Sequence, residues 1–69
     1  MISYSKAQLL EMNSHTKYGF NWIINIENIS DTAYLFSTGD ITPSGRIYIA
    51  LPENTVITPD VKKKYNIID

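Results

Sequence analysis

Apolar and polar residues alternate from Phe20 to Glu27, with Phe20, Trp22, Ile24 and Ile26 on one side and Asn21, Ile23, Asn25 and Glu27 on the other. A period of two is the signature of a half-buried β-strand, whereas a helix would scatter these residues around its circumference. A sheet therefore has to form the centre of the fold. Asn28, Ile29, Ser30 and Asp31 follow. Asn and Asp side chains bond their own backbone and accept left-handed conformations, which predicts a hairpin and a return strand from Thr32 to Ser37. On that strand Tyr34 and Phe36 share one face, and Ala33 and Leu35 the other. Thr42-Pro43-Ser44-Gly45 matches a type I turn, with Pro at the second position and Gly at the fourth. It predicts a third strand from Arg46 to Leu51, on which Ile47, Ile49 and Leu51 share a face. Pro52, Glu53 and Asn54 end it, and Thr55 to Ile57 is a candidate short edge strand.

Helices are expected at both ends. Ser5-Lys6-Ala7-Gln8 fits a capping box, in which the Ser hydroxyl serves the third helical N–H and Gln reaches back; it predicts a helix from about Lys6 to Ser14. Thr58-Pro59-Asp60 is a second helix start, with Thr as N-cap, Pro at the first position and an acid at the positive end of the dipole. That helix is expected from Pro59 to about Tyr65, with Val61 and Tyr65 on its packed side. The 69 residues contain no cysteine, so neither a disulfide nor a thiolate metal site can staple so small a chain. One domain over residues 1–69 is expected, held by packing or by partners, with both chain ends docked against the domain itself or against a partner. Its class is α+β: a three- to four-stranded antiparallel meander flanked by a short N-terminal and a short C-terminal helix, in the order α-β-β-β-(β)-α.

Alternation then sorts the sheet residues into two sets. Phe20, Trp22, Ile24, Tyr34, Phe36, Ile47 and Ile49 form the expected core face; Ile23, Leu35, Tyr48 and Ala50 project from the other side. Neither short helix has apolar residues enough to cover both faces. Either a helix covers the second face, as two-layer packing demands, or part of it, centred on Tyr48 with Leu35, Ile23 and Arg46, is the contact surface for another protein chain, the expectation carried forward because Tyr joins apolar area to a polar tip.

Chemistry is sparsely represented. His15 is the only histidine and sits past a helix end, where a cation complements the dipole. Glu27, Asp31 and Asp40 are the carboxylates nearest to strand ends, but no spacing brings them together, and turn or solvated roles account for them. No Asp-x-Asp-x-Asp run or paired histidines provides metal ligands at fixed spacing. Gly19, Gly39 and Gly45 are too far apart for a phosphate-cradling loop. Asn28-Ile29-Ser30 matches a glycosylation acceptor but serves as a turn. Enzymatic activity, a cofactor and a small-molecule substrate are accordingly not expected.

Net charge is −1, without the positive field on which bulk phosphate binding relies. Lys62, Lys63 and Lys64 are the single basic run, and helix-end solvation is their expected role ahead of contact with an acidic partner or nucleic acid. No apolar run is long enough to span a bilayer, so a cytoplasmic location is expected, or a virion if the source is viral. In size and composition the chain resembles small phage or mobile-element proteins. The first functional expectation is a non-enzymatic protein–protein interaction module, a small accessory or inhibitor protein that covers a partner surface. The alternatives are a structural subunit of a symmetric assembly such as a virion, which would pair with copies of itself, and an OB- or SH3-like nucleic-acid binder stacking bases on Tyr34 and Tyr48.

Overall fold

The computed structural model describes residues 2–13, 22–43 and 45–68. A short strand β1 (Ser3–Ser5) leads into helix α1 (Lys6–Met12), then strand β2 (Trp22–Ile24), a 3-10 turn at Ile26–Asn28, the hairpin β3 (Thr32–Thr42) and β4 (Gly45–Pro52), and helix α2 (Pro59–Lys64). The four strands form one sheet in the order β1-β3-β4-β2. This is the expected α+β class, a mostly antiparallel sheet with a helix at each end.

Local chemistry explains the ends of the elements. Ser5 Oγ accepts from the Gln8 N–H at 3.1 Å and Gln8 Oε1 accepts from the Ser5 N–H at 2.9 Å, a complete capping box. Thr58 Oγ1 accepts from the Val61 N–H at 3.2 Å, with Pro59 in the first turn of α2. At the hairpin tip Thr42 pairs with Gly45, whose φ of 139° is open to glycine alone, and the Thr42 hydroxyl donates to the Gly45 carbonyl. Residues 55 to 57 do not form the short strand their composition predicted; Ile57 instead packs inward. Ser14 and Phe20, at the expected limits of the first helix and first strand, lie outside the described residues.

The pairing of β2 differs from the expected meander. No hairpin joins it to β3; β2 lies parallel to β4, with Trp22, Ile23 and Ile24 beside Ile47, Tyr48 and Ile49. The cause is Asn25, which adopts φ 71°, ψ 14° and ends the strand, while its side-chain amide donates to the Ala50 carbonyl at 2.8 Å. Asn tolerates this left-handed conformation better than other non-glycine residues. After it the burial period changes from two to three. Ile26 and Ile29, one 3-10 turn apart, both point into the core.

Two apolar clusters therefore sandwich the sheet. Leu9 of α1, Ile26 and Ile29 of the connection, and Ile23, Ala33 and Ala50 of the sheet form the first, with Tyr4, Met12, Leu35 and Tyr48 packed against it. Ala33 and Ala50 are fully buried. Their small side chains let the covering layer sit close to the strands. On the other face Phe36, Ile49 and Leu51 are covered by Ile57, Val61, Tyr65 and Ile67, with Tyr34 alongside.

A bulge interrupts the long hairpin, since Ser37 pairs with Tyr48 but Ile41 pairs with Arg46. Thr38 fills the kink at 1% exposure. Its hydroxyl donates to the Ile47 carbonyl at 2.6 Å and accepts from the Asp40 N–H at 3.2 Å, and Arg46 Nη1 donates to the Thr38 carbonyl at 2.9 Å. Thr38→Val keeps the shape and removes both hydroxyl bonds from a buried site. It should destabilise the domain by about 1–3 kcal/mol, whereas Thr38→Ser should recover most of the loss; thermal melting of the two variants reads the difference.

Candidate protein-binding surface

In a strand of three residues, the side chains on either side of the central one share a face. Ile23 points toward α1 and is 7% exposed; Trp22 and Ile24 point the other way and are 40% and 46% exposed. The sequence-based assignment of Trp22 and Ile24 to the core is thus corrected. They do share a face with Phe36 and Ile49, as the alternation implied. The group covering that face among the described residues, Ile57, Val61, Tyr65 and Ile67, sits over Phe36, Ile49 and Leu51. Trp22 and Ile24, with half-buried Ile47 next to Trp22, make an apolar strip at the side of the sheet. Other exposed large apolar residues lie elsewhere, such as Leu10 on α1, Ile41 on β3 and Val56 in the connection before α2.

Some backbone groups along the margins of the sheet already have partners. Asn13, the C-cap of α1, uses its side-chain oxygen to accept from the Ile23 N–H at 2.8 Å, so the backbone of β2 already has a partner at its middle residue. On the far side β3 is lined from Thr32 to Gly39. β1 pairs with residues 32–34, the Ile2 carbonyl accepts from the Leu35 N–H, the Ser37 carbonyl accepts from the Ile68 N–H, and the Gly39 N–H donates to the Asn66 carbonyl. Both ends of the described chain are thus docked on one strand.

The surface expected from the sequence is arranged differently. Ile23 belongs to the core beneath α1, and Leu35 and Tyr48 are half-buried against the same cluster. The second face that was expected to be open is therefore covered, because Leu9, Ile26 and Ile29 supply apolar residues from α1 and from a connection read as a polar turn. Arg46 is engaged by the bulge carbonyl of Thr38. Lys62, Lys63 and Lys64 are exposed in the last turn of α2, with Lys64 Nζ 5.2 Å from the centroid of the Tyr65 ring. Trp22 was missed as a surface residue, and the signal that could have found it is Asn25, a left-handed strand end right after Ile24.

Among the described residues no candidate chemistry gathers elsewhere. Asp31 and Asp40 flank or occupy opposite ends of the eleven-residue β3, and Asp40 accepts from the Asn66 side-chain amide at 3.2 Å. Glu27 is exposed on the 3-10 turn. His15 lies outside the described residues. Among the described residues no group of three or more His, Asp or Glu side chains converges as metal ligands would, and no helix is long and apolar enough to cross a membrane. Searches for a matching protein family, a similar curated protein and a similar solved structure find none.

Trp22→Ala truncates a side chain that is 40% exposed, so it should lower folding stability by less than the roughly 3–5 kcal/mol of a fully buried aromatic. Equilibrium urea unfolding checks this. A loss comparable with that of a buried aromatic would place Trp22 in the core after all.

Proposed function

We propose that this chain is a non-enzymatic binding module that docks on a different protein through Trp22 and Ile24. The observation that carries the reading is the outward pairing of these two residues around buried Ile23. Trp is enriched at the centres of interfaces, where it fills pockets and supplies much of the binding energy. The occupant is a protein with an apolar groove and not a second copy of this chain. From their fractional exposures, Trp22 and Ile24 offer on the order of 200 Å², against about 800 Å² per side for a stable interface. A copy would bring only the same small strip. A groove can enclose the indole on several sides and draw the polar surroundings into the contact.

Site-specific photo-cross-linking tests the proposal in the native source. A benzophenone side chain at position 24 should give one discrete heterologous adduct that the same group at position 63, on exposed α2, does not. With that protein purified, Trp22→Ala should weaken binding by about 30-fold or more, the loss usual for an anchor residue. Adducts of the chain with itself, or undiminished affinity of Trp22→Ala, would overturn it.

A further inference from the structure

Helix α2 and the residues after it are held to the sheet by few contacts. None of its six residues is buried, and six residues are too few for a helix to persist without tertiary support. Its grip on the sheet comes from half-buried Val61, Tyr65 and Ile67 and from one point of attachment beyond it. Asn66, in the left-handed conformation at φ 57°, accepts from the Gly39 N–H at 2.9 Å through its carbonyl and donates to Asp40 at 3.2 Å through its side chain. Ile67 bridges to Thr38, and the Ile68 N–H donates to the Ser37 carbonyl at 3.1 Å. Beneath this segment lie Phe36, Ile49 and Leu51, almost completely buried. In register, Ile24, Ile49 and Phe36 form one continuous row across three strands.

We infer that residues 59–68 form a latch that opens as a unit while the sheet stays folded, and that its opening extends the Trp22 strip into a wide apolar face. Segments whose own residues are little buried open at free energies below global unfolding, and no residue of α2 is buried whereas β3 and β4 carry fully buried ones. Opening frees the Ser37 carbonyl and the Gly39 N–H on the edge of β3 together with the tops of Phe36, Ile49 and Leu51. The functional meaning of the enlarged face rests on the docking role of Trp22 and Ile24; the opening itself does not.

Gly39 offers a way to loosen the latch alone, since a Cβ there would stand 2.8 Å from Asn66 Nδ2. The Asn66 side chain must then swing away from Asp40. Native-state hydrogen exchange on the full chain should show the amides of Lys62, Tyr65, Ile67, Ile68 and Gly39 exchanging together, through an opening more frequent than that of the β4 amides from Tyr48 to Leu51. Gly39→Ala should speed the latch amides about tenfold and leave the β4 amides unchanged. The dye 1-anilinonaphthalene-8-sulfonate should bind Gly39→Ala more strongly as Phe36 and Ile49 become accessible. In an Asn66→Gly background, where the clashing side chain is gone and the left-handed backbone is kept, Gly39→Ala should add no further acceleration. Latch and β4 amides that exchange with one common free energy, or a Gly39→Ala effect that persists in Asn66→Gly, would overturn the inference. Failure of the cross-link at position 24 would remove the docking role and leave these exchange results standing.

Discussion

Phe36→Ala is expected to leave the domain unfolded, or nearly so, at room temperature. Phe36 is 3% exposed on the middle of β3, packed with Ile49 and Leu51 and edge-on to Tyr34, with ring centroids 6.3 Å apart at 68°. Truncating a buried phenylalanine forfeits its transfer free energy and leaves a cavity, together about 3–5 kcal/mol. A small domain has a total stability of only about 5–15 kcal/mol, and one of this size sits at the low end. The covering residues Val61, Tyr65 and Ile67 cannot collapse into the space without leaving their own positions, because the Asn66 attachment to Gly39 fixes the end of the latch. Far-ultraviolet circular dichroism against temperature should show the midpoint falling by more than 12 °C, at roughly 4–8 °C per kcal/mol. A shift of a few degrees would mean that the α2 face contributes little to the core.

Leu9→Ala probes the opposite face and should have an effect of similar scale, about 2–5 kcal/mol. Leu9 is fully buried and is the one residue of α1 that is, so the helix is fastened to the sheet mainly through it. Alanine is the best helix former, and the capping box of Ser5 and Gln8 is untouched, so a loss measured here is a loss of packing. The change should also reach β2. Asn13, at the end of α1, holds the Ile23 N–H, and a loosened helix should let that amide exchange faster than its neighbours in β4. Urea unfolding gives the stability, and hydrogen exchange at Ile23 gives the coupling. Unaltered protection at Ile23 in a destabilised variant would show that Asn13 is positioned by something other than α1.

Much of this architecture can be read before any coordinates, and what could not be read has identifiable physical causes. Caps and turns depend on residues within four positions of one another, so Ser5 with Gln8, Thr58 with Pro59, and Thr42 with Gly45 all announce their elements. Alternation correctly groups Tyr34, Phe36 and Ile49 on one face and Ala33, Leu35 and Ala50 on the other. What alternation does not contain is which face receives the covering layer, since both sets are apolar enough to be buried. The size of Trp22 argued for the interior, yet the described cover on its side packs on Phe36, Ile49 and Leu51 and leaves Trp22 40% exposed. The partner strand of β2 is likewise a long-range choice. Asn25 turns the chain at the end of β2 and sends Ile26 and Ile29 over the sheet, and a run of Asn, Ser and Asp after it looks the same locally as a hairpin turn. Gly39 and Asp40, weak strand formers in the middle of β3, were a visible sign of the bulge; that Asn66 would dock there was not visible.

The candidate surface follows the same division. Its residues stood out in the sequence as aromatic and β-branched, but their exposure depends on where α1 and α2 settle. Ile23, Leu35 and Tyr48 exchanged roles with Trp22 and Ile24 because α1 packs over the first set through Leu9.

Trp22 is the only tryptophan in the chain, so its fluorescence reports on the proposed anchor without any label. In the folded, isolated domain its emission should be that of a half-exposed indole and should be quenched readily by acrylamide. Saturation with the protein captured from position 24 should shift the emission to the blue and reduce quenching severalfold. An indole already shielded in the isolated domain, or one equally quenched in the free and bound states, would contradict the assignment of Trp22 as the residue that docks this module.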